Sequence, residues 1–310
     1  MLIYLGALVQ GLILAPLALG VLVSFRICRV LDLTVDGAFA FGGAVAACLL
    51  VHNVSPWLAA VAGGLAGALA GCCSGLLHTG LKVNAILSGI LTSTALYSIT
   101  LLTMGRGNLP IPSEAGFSAL AERLGVLLAG KHMVTIEGIG RLATREFGML
   151  LLVGIFALIL ALVLCFLFST EFGLAMRAAG ANEQLAPALG IPTSPMIVCG
   201  LALANGLVGF SGALLAQYQG YSDVQMGISM IVTGLAAVMV GEVLPGTRSA
   251  GRMIFNAIAG AIAYRMAIAA ALHAGLNPYA LKLVTAIFVL LIISIPIILK
   301  TGRPSHANSP

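Results

Sequence analysis

The sequence predicts an all-α integral membrane protein, a polytopic bundle of about nine transmembrane segments. Three observations carry that prediction. Hydrophobic residues make up 60% of the 310 and charged residues only 8%, whereas a soluble domain carries roughly 25% charged residues to cover its surface. The mean hydropathy is +1.10. The apolar runs also have membrane length, since about 20 apolar residues cross a hydrocarbon core of about 30 Å.

Between polar breaks the candidate segments are 2–24, 38–52, 56–77, 84–104, 147–168, 196–217, 222–243, 250–272 and 277–299, within a range of 8 to 10. The first, opening MLIYLGALVQGLILAPLALG, lacks the basic n-region of a cleaved signal peptide and is expected to stay as a span. The second is short and follows RICRVLDLTVDG, which holds four charges. That pair reads as one broken or partly re-entrant element, an arrangement tolerated only where protein or a water-filled cavity satisfies the backbone. In the third, Gly63, Gly67, Gly71 and Gly75 fall four apart, with Ala59 extending the row. Glycine costs helix stability relative to alanine, and a bare ridge lets another helix approach at backbone distance. Close packing within the chain is the simpler reading of that ridge; a dimer interface is the other.

Arg26, Arg29, Lys82, Arg177, Arg248, Arg252, Lys300 and Arg303 all fall on one side if the polar stretch around 171–195 is cytoplasmic. Short loops dominate the positive-inside rule, so the N-terminus is expected outside and the C-terminus inside. Residues 1–300 then form a single transmembrane domain, with 105–146 as an extracytoplasmic loop and 301–310 as a cytoplasmic tail. Within the loop, Phe117 to Leu128 has apolar residues at helical spacing, which fits either a surface helix or a plain connection. A net charge of +5 and a pI near 9.0 reflect basic residues kept at the cytoplasmic face of a lipid bilayer rather than nucleic-acid binding.

Polar groups within spans usually face a cavity or a partner. Asp32, Asp36, Asn84, Asn205 and Gln217 are the candidates for a pathway, and Glu242, Asn256 and Arg265 are further polar residues in apolar surroundings. Asp32 and Asp36 share a face if their stretch is helical, and Arg29 is placed to neutralise Asp32. Asp36 either caps the helix that follows it or faces a pathway. Asn205 is either an interhelical hydrogen bond or a cavity residue. Arg265 and Lys282 are long enough to snorkel towards an interface.

Nothing in the chain speaks for chemistry of its own. The six cysteines show no C-x-x-C spacing, the five histidines are scattered, and H-E-x-x-H and G-x-S-x-G are absent. With no G-x-x-x-x-G-K-[ST] sequence, the chain is not expected to hydrolyse ATP by a P-loop. Neither a metal nor a cofactor is expected in it.

One compact polar stretch interrupts the apolar sequence: MRAAGANEQLAPALGI, Met176 to Ile191. Asn182 is a good N-cap and Gly190 a good stop, so a short helix of about two turns is expected between them. Leu185, Leu189 and Ile191 give it an apolar strip, which a docking helix needs and a solvated loop does not. Pro187 falls where that helix would be regular and removes an amide donor.

This stretch resembles a known family. FGLAMRAAGANEQLAPALGI is similar to the cytoplasmic coupling segment of bacterial ABC importer permeases, in the branched-chain amino acid and ribose permease superfamily. RVLDLTVDGAFAFGGAVAA and GFSGALLAQYQGYSDVQMGISMIVTGLAAVMVGE resemble its early and later helices, and the likeness covers most of residues 10–300. DLTVDGAFAFGG, LKVNAILSGILTSTALYSI and AQYQGYSDVQMGISMIVTGLAAVMVGE are most similar to the subgroup described as tryptophan/tyrosine import permeases.

The resemblance implies a homodimeric permease in the bacterial inner membrane, passing a small solute such as an amino acid. Two ABC ATPase subunits, which bind ATP and magnesium, would dock on the coupling segment, and an extracytoplasmic solute-binding protein would deliver the solute. Arg177, Gly180, Asn182, Leu189, Gly190 and Ile191 match the coupling pattern, with Leu185 added by its place on the strip. The alternative is an ion-coupled secondary transporter, which calls for buried acidic residues at mid-membrane; Asp32 and Asp36 are the residues that admit it.

Overall fold

The computed structural model describes residues 2–244 except 113, 118–119, 122–132 and 137–139, then 249–275, and singly 283, 287 and 290. Apart from those three single residues, the expected segment 277–299 lies outside the described residues, as do the tail 301–310, Arg248, Lys282, Lys300, Arg303 and most of the stretch 117–128. Among the described residues, eight segments are long and apolar enough to cross a membrane.

The first span joins α1 (Leu2–Ile13) to α2 (Ala15–Leu22) and ends in a π-helical turn, Val23–Ile27. Pro16 brings no N–H to the junction, and the buried Ser211 hydroxyl donates to the carbonyl of Ile13 there at 2.7 Å. Helices α3 (Thr34–Val51), α4 (Pro56–Thr79) and α5 (Ala85–Met104) follow. Ser55 and Asn84 cap the last two through side chains that accept from Leu58 N and Ile86 N. Among its described residues the long loop carries three strands, β1 (Asn108–Pro110), β2 (Met133–Ile136) and β3 (Gly140–Ala143). Beyond it come α6 (Thr144–Ser169), the short α7 (Glu171–Ala181), α8 (Thr193–Gln219), strand β4 (Tyr221–Asp223), α9 (Met230–Val243) and α10 (Ala250–His273).

Helix α8 is the axis of the bundle. A Cβ on Gly20 would strike the Ala204 carbonyl, so the first span runs antiparallel against α8 at backbone distance. Helix α4 does the same on another side through its glycine row. A Cβ on Gly63 would meet Ala213, one on Gly67 the Asn205 carbonyl, one on Gly71 the Leu201 carbonyl, and one on Gly75 the Val198 Cα. The ridge is therefore filled from within the chain. Outside these contacts, α4, α5 and α6 leave rows of large apolar side chains exposed, among them Leu65, Leu69, Leu102, Leu158 and Phe166. Lipid is the solvent such faces suit.

At the end of the bundle opposite α7, β1 pairs antiparallel with β4, Leu109 opposite Ser222. The loop is also pinned by aromatic contacts, with Phe117 stacked edge-on against Trp57 at 4.8 Å and Trp57 against Phe156 at 4.9 Å.

The break in the bundle is not where the sequence placed it. Helix α3 runs uninterrupted for 18 residues from Thr34, so the second segment is a clean helix. The interruption lies in the segment expected over 222–243, where strand β4 and a 3-10 turn (Val224–Gly227) precede a helix of only 14 residues. At 1.5 Å per residue, α9 is about 21 Å long and cannot cross a core of about 30 Å alone. Its start lies deep in the bundle. The Asp36 carboxylate accepts from Ser229 N at 3.1 Å and Ile231 N at 2.8 Å. A Cβ on the adjacent Gly37 would meet Ser93, close to the middle of α5. The chain thus descends from the β1–β4 ribbon to mid-bundle before α9 begins.

The glycine ridge yields a direct test. Gly71→Leu, which must displace the Leu201 backbone, is expected to cost roughly 1–3 kcal/mol or more through overpacking and to broaden the size-exclusion profile in detergent. Gly107→Leu, with nothing within 4 Å of its added Cβ, is expected to leave profile and thermal midpoint unchanged.

Candidate functional site

Two places concentrate polar groups: the interior where α3, α8 and α9 meet, and the end of the bundle that carries α7.

In the interior the two early aspartates have separate tasks, neither of them the predicted shared face. Asp32 precedes α3 and is 3% exposed. Its Oδ1 accepts from Thr34 N at 2.9 Å and from the Ser74 hydroxyl at 3.5 Å, and its Oδ2 accepts from the Asn205 amide at 2.5 Å. Asn205, fully buried, donates also to the Leu201 carbonyl at 3.0 Å. One carboxylate therefore ties the start of α3 to α4 and α8, its charge held by donors because lone buried charges are costly. Arg29 does not neutralise it, donating instead to the Ala181 carbonyl at 3.3 Å. Beside this lock, burial, reinforced by the Asp32 charge, pushes the Cys28 thiol up to about 12.

Asp36 does cap a helix, but not its own. It sits in the first turn of α3 and supplies acceptors to the N-terminus of α9. Such a helix end exposes unpaired N–H groups and the positive end of the dipole, which a carboxylate satisfies. Around Asp36 is a cavity of about 350 Å³ lined by Gly37, Ala40, Ser93, Thr94, Tyr97, Ser98, Thr100, Val224, Gly227 and Ile228. A Cβ on Gly227 would strike the Asp36 carbonyl, so glycine is what lets the descending turn lie against α3. Thr94, Tyr97 and Ser98 stand exposed on α5, a hydroxyl-bearing face unlike its apolar neighbours.

The other pathway candidates make structural hydrogen bonds, and the buried Oδ1 of Asn205 and Oε1 of Gln217 have no partner among the described residues. Asn84 is the cap of α5. Gln217, buried, donates to the Pro56 carbonyl at 3.2 Å and joins the ends of α4 and α8. Asn205 completes the Asp32 lock. The Nε of Arg265 is buried with no hydrogen-bond partner among the described residues, so that guanidinium does not snorkel free of the bundle. Of the five pathway candidates, Asp36 alone lines this cavity. The hydroxyls of α5 were missed, although their signal, TSTALYSIT inside an apolar run, was open to view.

At the other end, Thr170 caps α7, its hydroxyl accepting from Gly173 N at 3.3 Å. Asn182 closes α7 and starts the next turn, its Oδ1 accepting from Gln184 N and Leu185 N at 3.0 Å each. The expected two-turn helix is a single 3-10 turn, Ala186–Leu189, with Pro187 in its first positions and Gly190 ending it at φ 78°. Pro187 cannot donate within a longer α-helix, which accounts for the shortening. Ala186 is the buried foot of the turn, while Leu185 and Leu189 are 57% and 68% exposed. Ile191 is half-buried and Arg177 exposed. Gly180 faces inward: a Cβ there would strike the Ile27 carbonyl and Cys28, so it docks α7 on the end of the first span.

A broad cleft of about 1000 Å³ opens beside α7, lined by Arg26, Arg29, Leu174, Arg177, Glu242 and Met253 among others. Inside it Arg26 and Glu242 form a two-pronged ion pair, joining the end of the first span to the end of α9. Basic-residue counting alone gave Arg26 no partner.

Nearly the whole length of the chain finds relatives. Residues 3–294 match the family described as the branched-chain amino acid transport system permease component. A tyrosine transport system permease protein of Clostridioides difficile is 31% identical over 92% of this chain and 88% of its own length. An uncharacterized protein of Rickettsia prowazekii is 30% identical over 94% and 97%. A nucleoside ABC transporter permease of Lactococcus lactis is 25% identical over 61% and 58%. No solved structure matches. With a bundle of membrane spans, a polar segment at one end and a family match over nearly its full length, the chain belongs to the permease components of the branched-chain amino acid transport family.

Proposed function

We propose that this chain is the membrane subunit of an ATP-driven importer in the bacterial inner membrane, and that it passes a small solute of the amino-acid class. The observation that carries this is the unbroken line of contacts from the 3-10 turn at Ala186–Leu189 to the cavity at Asp36. Exposed Leu185 and Leu189 form an apolar knob on a polar element, suited to a groove on a separate ATPase. Helix α7 behind the knob is seated on the first span by Gly180, and Arg29 holds its last turn through the Ala181 carbonyl. The first span is joined to α9 by Arg26 and Glu242. Helix α9 is a rod of about 21 Å whose far end is held by Asp36. A push on the knob is delivered to the cavity wall through rigid elements.

In this reading the α7 end is cytoplasmic and the β1–β4 end meets an extracytoplasmic solute-binding protein. The N-terminus then lies outside. Two copies meet across the hydroxyl-bearing face of α5, since Thr94, Tyr97 and Ser98 are poorly suited to lipid. Amino-acid import is supported by the likeness to the clostridial tyrosine transport system permease protein. Power comes from the ATPase pair, which holds the ATP and magnesium. Ion coupling is disfavoured because the Asp32 carboxylate is engaged by structural donors, one at the head of α3 and one each from α4 and α8.

Two measurements test this. In proteoliposomes holding the permease with its ATPase and binding-protein partners, uptake is expected to require ATP inside and to persist when a protonophore and sodium removal abolish ion gradients. Uptake driven by a gradient without ATP would overturn the reading. Leu189→Asp places a charge on the knob but touches no buried group. It is expected to lower ATPase co-purification and uptake at least tenfold while leaving the thermal midpoint of the permease within about one degree.

A further inference from the structure

We propose that the cavity between α3, α5 and the turn before α9 is a contact station for a zwitterionic α-amino acid, with the Asp36 carboxylate facing its ammonium group. This rests on the importer reading above and adds the ligand chemistry and the residues.

The first argument is charge. Asp36 lies in the interior of the bundle and accepts from the Ser229 and Ile231 amides, one on each oxygen, with the Met230 amide a third backbone donor. A carboxylate has about four acceptor sites, so one remains. Among the described residues no basic side chain pairs with it. A helix terminus offsets only part of a full negative charge. An ammonium group, with three donors and a positive charge, is the complement to the side that faces the cavity.

The second argument is independent of Asp36. Thr100 also lines the cavity. It is 1% exposed, and its hydroxyl has no hydrogen-bond partner among the described residues. A buried unpaired hydroxyl costs about 1–3 kcal/mol, so its presence asks for a partner that comes and goes. Ser93 and Ser98, on the same wall, likewise make no hydrogen bond among the described residues, whereas Thr92 and Thr94 bond back to their own helix. The unspent hydroxyls are the ones that can serve a carboxylate or a polar side-chain tip. Tyr97 adds an aromatic face between them.

The third is size. A volume of about 350 Å³ falls at the lower end of the roughly 300–1,000 Å³ usual for small-molecule sites. That suits one amino acid and not a peptide.

The test uses the full complex of permease, ATPase and solute-binding protein in proteoliposomes, fed a mixture of radiolabelled zwitterionic amino acids. Asp36→Asn removes the charge and keeps one of the two acceptors that Ser229 N and Ile231 N use, the other oxygen becoming an amide donor. It is expected to cut ATP-dependent uptake at least tenfold, with ATPase assembly intact. Thr100→Val removes a hydroxyl that no described residue uses. It is expected to leave the thermal midpoint unchanged or raised while uptake falls severalfold through a higher KM. If Asp36→Asn fails to assemble, Thr100→Val decides. Wild-type uptake of none of the mixture, or equal uptake by wild type and both variants, would overturn the proposal. If the assembled wild type still couples ATP hydrolysis to its binding protein, the importer reading survives either result. A complex that forms no ATPase contact sinks that reading instead.

Discussion

A helix that begins halfway across a membrane leaves backbone N–H groups with no water to accept them, and that constraint organises this molecule. Helix α9 is too short to span, and its first amides must be satisfied by protein. Asp36, presented by α3, does so for Ser229 and Ile231. The same carboxylate thereby fixes the height at which α9 starts, the path of the strand and turn that lead down to it, and the cavity left beside them. Without an acceptor at that depth, the segment could neither stay irregular nor lie against α3.

What makes the arrangement affordable is the backbone-distance packing around α8. Gly20 on the first span and the row Gly63, Gly67, Gly71 and Gly75 on α4 remove the side chains that would hold these helices apart. Asp32 then locks the start of α3 to α4 and α8 through Ser74 and Asn205. Helix α9 is held at one end by Asp36 and at the other by the Arg26–Glu242 pair, and between them Gly241 and Gly260 bring it to backbone distance from α10. The ion pair is partly exposed and lies in the cleft beside α7, so it joins the two elements at the surface of the bundle rather than in its core.

Much of this was open to reading from the chain. The spans follow from apolar length, and seven of the eight observed lie within a few residues of the expected bounds. The second starts four residues early because Thr34 to Gly37 continue as helix once Asp32 supplies the acceptor at its head. Asn182 and Gly190 delimit the polar segment as their side-chain and backbone chemistry requires. Pro187 shortened the turn between them. The cavity was less legible. Asp36 was singled out, but its companions on α5 are common hydroxyl residues that usually bond to their own helix.

The sequence by itself determined that this is a membrane bundle, that a polar element interrupts it near residue 180, and that one helix of it carries a bare glycine edge. Those are properties of composition and period, and each residue carries its share without reference to distant ones. Tertiary structure alone decided the pairings: that Asp32 belongs to Asn205 and not Arg29, that Asp36 caps α9 and not α3, and that Arg26 finds Glu242. A carboxylate accepts from whichever donors the fold brings near it, and those donors lie up to 216 residues away along the chain. No local pattern encodes such a distance, because it is set by how the helices cross.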